Sequence, residues 1–281
     1  MKIAVTAASG HLGAAIVKAT SELIGLDNVV AVARTPEKAR SLGVEVRAGS
    51  YDDRSALERA FADIDTVLLV SGMDAPDKRI GQHRNVIEAA KAAGVRKLVY
   101  TSVQGPLADS AFSPIVQSNR QTEEDLKASG LDWVIGRNGI YIEPDVEYID
   151  KYIASGEIAN CADDGLCGYT TRSELAYAYA RMLTEQQHNG HTYKLHGEPI
   201  SQAALAQYLG DAFGVSLRYR SMEVEAYRTE RVAELGAFIG NVIAGIYQGI
   251  RTGAYDTPSD FAQAAGRAHQ RWADYFRTLN A

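Results

Sequence analysis

The sequence predicts an α/β protein: a doubly wound parallel sheet of the Rossmann type, followed by a smaller C-terminal α+β lobe. Three observations carry that expectation. Short strand-like runs recur at 3–5, 29–33, 44–48, 66–70, 97–100 and 133–135, and the one at 29–33 is apolar throughout, rich in β-branched residues and too short for a helix, as a strand covered on both faces would be. Helical patterns separate them, and strands alternating with helices wind a parallel sheet with right-handed crossovers. Beyond Gly139 the alternation weakens into Tyr-rich amphipathic segments, which sets a core domain at 1–139, with room for its sheet to take back later segments, apart from a lobe at 140–281.

The first strand is Ile3–Val5 and the first helix runs from Gly13 to Leu23, with Ile16, Val17, Thr20 and Leu23 on its apolar face. The second strand is 29–33. Thr35 as N-cap, Pro36 at the first helical position and Glu37 in the first turn then open a short helix through Leu42. A third strand at 44–48, a helix at 52–61 and a fourth strand at 66–70 follow, and a longer helix at 78–93 is stopped by Gly94. The fifth strand, 97–100, ends at Thr101-Ser102; a helix at 121–129 closes on Gly130, and 133–135 is the sixth strand. In the lobe, helices are expected at 146–154, 173–185 (Ser173 as N-cap), 201–213 and 260–279, with a β-like piece at 192–195.

With 281 residues, 46% hydrophobic and 23% charged, the chain is long enough for one large core plus a small lobe. No apolar stretch approaches the ~20 residues of a membrane span and no signal is visible, so a cytoplasmic protein without membrane contact is expected. A net charge of −6 argues against a sequence-independent grip on nucleic acid, which needs clustered Lys and Arg. A small-molecule partner is the expectation, and a homodimer is left open. Cys161 and Cys167 lie in a Gly/Asp-rich stretch with no His nearby, so neither a metal site nor a disulfide framework is expected.

The chemistry concentrates where the first strand meets the first helix. Thr6, Ala7, Ala8 and Ser9 make a tight small-residue turn, Gly10 lets backbone approach a pyrophosphate, and Gly13 lets the helix pack close to the strand. The helix N-terminus then points its N–H groups and the positive end of its dipole at an anion. Thr6, Ser9, Gly10, His11, Leu12 and Gly13 are therefore the candidate phosphate cradle. The spacing is G-x-x-G-x-x-G with Ala7 at the first glycine, which departs from the G-x-G-x-x-G dehydrogenase fingerprint.

Several longer segments carry a resemblance. Residues 3–13, Val32-Ala33-Arg34-Thr35-Pro36-Glu37-Lys38-Ala39, the stretch from Gln82 to Val95, Tyr100-Thr101-Ser102, Arg137-Asn138-Gly139-Ile140-Tyr141 and 171–176 together resemble the NmrA-like, atypical short-chain dehydrogenase group. Within it, the chain is most similar to the type 2 NAD(P)H:quinone oxidoreductases. The resemblance implies a dinucleotide-binding domain, a substrate-binding lobe and hydride transfer from a nicotinamide cofactor to a quinone. The same group includes non-catalytic NAD(P)-sensing regulators, which is the alternative function.

Arg34 follows the second strand, where an NAD-selective site would place an acid on the ribose 2′-hydroxyl; an Arg there suits the 2′-phosphate of NADP, the alternative being a solvated Arg at a helix entrance. NADPH is accordingly expected over NADH. Ser50 stands where relatives often have Asp beside the adenine, or is a turn serine. Ser71 and Gly72 end the fourth strand and Thr101 and Ser102 the fifth, each read either as lining the cofactor or as ordinary strand-end turns. The resemblance places Asn138 and Tyr141 at the mouth of the substrate pocket, with Ser102 near the nicotinamide. His83 is a helical histidine, either packed or catalytic. The Tyr and Lys that serve as proton donor and partner in the wider dehydrogenase pattern fall, by register, on Ile115 and Asn119, neither of which is an acid.

Overall fold

The computed structural model describes residues 1–280. Its core is a seven-stranded, wholly parallel sheet. The strands are β1 (Ile3–Val5), β2 (Val29–Ala33), β3 (Glu45–Ala48), β4 (Thr66–Val70), β5 (Lys97–Val103), β6 (Asp132–Asn138) and a last strand, His191–Leu195, contributed from the second half of the chain. From that last strand the order is β6, β5, β4, β1, β2, β3, so the chain builds one way from β1, then returns to β4 on its other side. The order reverses between β1 and β4, and such a sheet opens a crevice there at its carboxyl edge.

Burial explains the apolar runs. Every residue of β1 and β2 is buried, and so are Val67, Leu68, Leu69, Leu98, Val99 and Tyr100 at the centre. One face packs on α1 (His11–Ile24) and the helix Arg172–Thr184; the other packs on α2 (Arg54–Ala60), α3 (Pro76–Ala92) and α4 (Ser113–Lys127). At ~25 cal/mol per Å² of apolar surface, this two-sided burial dominates the stabilisation of the sheet. A third apolar cluster, around Ile142, Ile158, Tyr169, Leu205 and Trp272, is the core of the lobe.

Several boundaries differ from the sequence expectation, each for a local reason. α1 begins at His11, not Gly13, because Gly10 takes the extended N-cap conformation. Residues Pro36–Leu42 form 3-10 turns, ended by Gly43 in the left-handed region. α4 starts at Ser113, eight residues before the expected start, with Pro114 in its first turn, where a missing N–H costs nothing. Thr171, not Ser173, caps the helix at 172–184, its hydroxyl accepting from the Glu174 amide at 3.0 Å. The expected helix at 260–279 is two short pieces, Phe261–Ala265 and Trp272–Arg277, parted at Gly266 with φ 69°.

A helical hairpin, Val224–Leu235 and Ala237–Arg251, was not expected at all. Its second helix carries glycines that serve as contact points. A Cβ on Gly240 would lie 2.5 Å from Val232 Cα, and one on Gly245 would lie 2.4 Å from the Phe112 amide. Deeper in the lobe, the buried Asp145 carboxylate accepts hydrogen bonds from Tyr152 Oη at 2.8 Å and Tyr247 Oη at 3.2 Å. Burial, only partly offset by those hydroxyls, pushes its carboxyl up to about 6.

Candidate dinucleotide site

The turn after β1 is closed by main-chain bonds. The Ala8 amide donates to Val32 O at 3.1 Å and the Gly10 amide to Ala7 O at 3.0 Å. Ala7 itself has φ 48°, a left-handed conformation that Gly adopts without strain, so alanine at the first motif position keeps the glycine geometry at a steric cost. Gly10 caps α1 without a side chain, leaving the first-turn amides of His11, Leu12 and Gly13 free of intrahelical partners and available to an anion. Ser9, Gly10 and His11 are exposed, whereas Leu12 and Gly13 are buried and contribute only main chain.

In front of this turn lies a cleft of about 380 Å³ across the carboxyl ends of β1 to β4. Ala7 and Ser9 form its floor after β1; Arg34, Thr35 and Lys38 form the side after β2; Gly49 to Asp52 and Ser71 to Asp74 close the rest. Glu37, the acid of the 36–42 segment, pairs with Arg40 at 3.9 Å, leaving Arg34 and Lys38 as the cations at the cleft. Lys38 was missed by sequence reasoning, which read it only as part of the short helical segment opened by Pro36.

The opposite lip is a polar bridge. Gln82 Nε2 donates to Asp52 Oδ1 at 3.0 Å and to Asp74 Oδ2 at 2.5 Å, and Lys78 pairs with the same two carboxylates. The Gln82 bond, then Lys78, holds the Asp74 carboxyl below its ordinary value. Tyr51, also missed, donates to Val70 O at 2.7 Å and contacts Thr6 Oγ1 at 2.5 Å, tying the ends of β1 and β4 behind the cleft.

The structure sorts the sequence-predicted residues. Ser9, Arg34, Ser71 and Gly72 come together at the cleft, with Ser50. Thr6 is corrected: its hydroxyl is fully buried and donates to Leu68 O at 2.8 Å, so it joins strands and does not face the cleft. Thr101 is buried behind the wall, where its Oγ1 accepts from the Ser71 amide at 2.9 Å. Ser102 is corrected too. Its hydroxyl donates to Glu123 Oε1 at 2.6 Å and accepts from Arg120 at 3.1 Å, inside a buried ion cluster that Arg137 completes at 2.6 Å. Burial would raise the Glu123 carboxyl, but its bonds to Arg137, Arg120 and Ser102 prevail and hold it below its ordinary value.

Further along the edge, Asn138 Oδ1 accepts from Tyr179 Oη at 2.7 Å and its Nδ2 donates to Tyr141 Oη at 3.4 Å. Tyr141 sits half-buried with the Arg172 guanidinium 5.8 Å above its ring. In α4, Asn119 is 1% exposed and its amide is engaged at both ends. Oδ1 accepts from Ser71 Oγ at 3.1 Å and Tyr100 Oη at 2.5 Å, while Nδ2 donates to Ile115 O at 2.8 Å.

An open doubly wound sheet, an uncapped helix N-terminus at its switch point and two cations past the second strand define a dinucleotide-binding Rossmann protein. The profile of the NAD(P)H-binding family matches residues 7–186, and the chain belongs to that family, within its NmrA-like, atypical short-chain dehydrogenase group. It is an oxidoreductase-type protein. Over 224 residues it is 34% identical to quinone oxidoreductase 2 of Escherichia coli K12, covering 78% of this chain and 77% of that one. It is 30% identical over 257 residues to an NmrA-like family domain-containing oxidoreductase of Aspergillus flavus, covering 87% and 83%. Among solved structures, the E. coli NADPH-dependent quinone oxidoreductase complexed with NADPH superposes with a TM-score of 0.91 at 29% identity, covering 99% of this chain and 100% of that one.

The residues present fit such a cofactor. Any side chain at Gly13 would collide with the cradle, the α1 amides are unspent, and the two cations Arg34 and Lys38 line the same cleft.

Proposed function

We propose that this protein is an NADPH-dependent reductase that passes a hydride to a quinone-type acceptor without a Tyr/Lys proton donor, and that the lobe after Gly139 binds that acceptor. The observation that supports this reading is Asn119: the sequence register gives it the place of the proton-donating pair's basic partner, and it is a neutral amide engaged by Ser71, Tyr100 and Ile115. The apolar Ile115 precedes it by one helical turn. Ketone reduction builds an alkoxide that needs a proton at once, and a site without an acid serves it poorly. A quinone accepts the hydride as a resonance-stabilised hydroquinone monoanion, which takes its proton from water.

The reduced nicotinamide supplies the hydride when bound. The chain's own task is then placement. The α1 amides hold the pyrophosphate, Arg34 and Lys38 face the 2′-phosphate, and the Ser71–Gly72 wall seats the ribose on the nicotinamide side. Asn138 and Tyr141 offer the acceptor an amide and a flat aromatic face at the lobe. The relationship to E. coli quinone oxidoreductase 2 supports the choice of acceptor class.

The test is loss of reduced-nicotinamide absorbance on adding a naphthoquinone to purified protein with NADPH. Accelerated loss is expected, and Asn119→Ala should retain activity within about tenfold, far from the ~10²–10⁴-fold loss that follows removal of a general acid. Tight NADPH binding without any quinone-dependent oxidation would replace this reading with that of a nucleotide-sensing regulator.

A further inference from the structure

His83 lies on the buried face of α3 and is 0% exposed. The Gly72 amide points at its Nε2 at 3.0 Å, so Nε2 accepts and carries no proton. The proton is therefore on Nδ1, which donates to Thr122 Oγ1 at 2.9 Å, and that hydroxyl donates in turn to Ser118 O at 3.1 Å. The ring is gripped edge-on by Tyr51 at 6.2 Å and Tyr100 at 5.5 Å. Burial, with the nearby Arg79 guanidinium on the same helix, pushes the imidazole down to about 3, so it is neutral at neutral pH.

The place of this bond in the fold gives it meaning. The β4–β5 ladder ends at Val70 opposite Thr101, and the next two amides of the chain have no strand to pair with. Each receives a side-chain acceptor from behind: Thr101 Oγ1 for Ser71 and His83 Nε2 for Gly72. Ser71 and Gly72 are the wall of the cleft, so the path of the chain there is set by these two acceptors and not by the sheet.

We propose that His83 is a positioning residue for the dinucleotide: its Nε2 fixes the Gly72 peptide at the cofactor wall, and α4, through Thr122, fixes the imidazole. This rests on the reading of the cleft as the dinucleotide site. The wall lies across the cleft from Arg34, so its displacement weakens NADPH and NADH alike. Glutamine can present an oxygen near the place of Nε2, whereas leucine fills the space and leaves the Gly72 amide unpaired.

The test measures dissociation constants of both dinucleotides by titration calorimetry for wild type, His83→Leu and His83→Gln, with the His83 tautomer read from ring ¹⁵N shifts in the wild-type protein. The expected result is about tenfold weaker binding of both dinucleotides in His83→Leu, the loss of roughly one neutral hydrogen bond. His83→Gln is expected within about threefold of wild type, and the ring is expected neutral with its proton on Nδ1. Wild-type affinity in folded His83→Leu, equal weakening in the Gln and Leu variants, or a proton on Nε2 would each overturn the proposal while leaving the dinucleotide site standing. A wild-type protein that binds neither dinucleotide overturns both. If His83→Leu does not fold, the tautomer and the Gln variant still decide.

Discussion

A Cβ built on Gly13 would lie 2.5 Å from the carbonyl oxygen of Ala7 and 2.9 Å from its carbon, so the first turn of α1 rests directly on the backbone of the cradle. Ala7 in turn holds its left-handed conformation, and neither side of this contact can give way cheaply. Gly13→Ala is therefore expected to destabilise the protein by about 1–3 kcal/mol, read as a fall in the unfolding midpoint. At Gly10 an added Cβ would make only van der Waals contact, its nearest neighbour being Ala7 O at 3.4 Å. Gly10→Val should stay folded while losing dinucleotide binding by calorimetry.

Arg34 sets the second expectation. A charge-assisted hydrogen bond to a 2′-phosphate is worth roughly 1.5–3 kcal/mol, or ~10- to 150-fold in affinity. Arg34→Ala should weaken NADPH binding by that factor and leave NADH almost unchanged, and the difference should shrink as salt rises, because the guanidinium is exposed. Lys38→Ala should act in the same direction but less. Equal weakening of both dinucleotides in Arg34→Ala would remove the assignment.

Ser102 tests structure against binding. Because its hydroxyl serves the buried Glu123 carboxylate, Ser102→Ala should cost about 1.5–3 kcal/mol of unfolding free energy in denaturant titration. The Michaelis constant for the dinucleotide should change by less than about threefold. A large rise in that constant at unchanged stability would return Ser102 to the cofactor.

Asp145 sets a pH dependence. Its carboxyl moves from an ordinary 3.8 to about 6 in the fold, so the folded protein binds this proton more tightly than the unfolded chain does. The contribution is complete below about pH 4 and is lost as pH rises through 6, for a total of about 3 kcal/mol. Asp145→Asn keeps an oxygen for Tyr152 and Tyr247 without the charge. Its stability relative to wild type should therefore increase from pH 4 to pH 7, as followed by thermal unfolding, and a constant difference across that range would contradict the assignment.

The centre of the sheet was legible because its strands are buried on both faces: runs such as Val29–Ala33 admit few other readings. The cradle was legible for the same kind of reason, since Gly10 and Gly13 are demanded by backbone geometry within a dozen residues. Side-chain direction at strand ends was not. Thr6 and Ser102 each sit at the carboxyl edge, yet each turns into the interior, a choice made by partners 62 and 21 residues away. No element was expected at 224–251, a stretch with glycines at 240, 245 and 249 whose place in a helix is explained only by Val232, Phe112 and Pro106 packed against them. His83 looked like any helical histidine because its partner, Gly72, is an amide.

The strand His191–Leu195 joins the sheet only after the chain has left it and traversed part of the lobe, pairing with β6 from His191 opposite Val134 to Leu195 opposite Asn138. A fragment cut after Gly139 would present the whole outer ladder of β6 as an unpaired edge, an invitation to intermolecular strand addition and aggregation. During synthesis the same edge stays open until the ribosome has released the return strand, and the helix Phe261–Ala265, which packs on that strand and on the helix at 172–184, arrives later still. The core is thus closed by its own last third, and the two halves of this chain cannot be exchanged or expressed as independent modules.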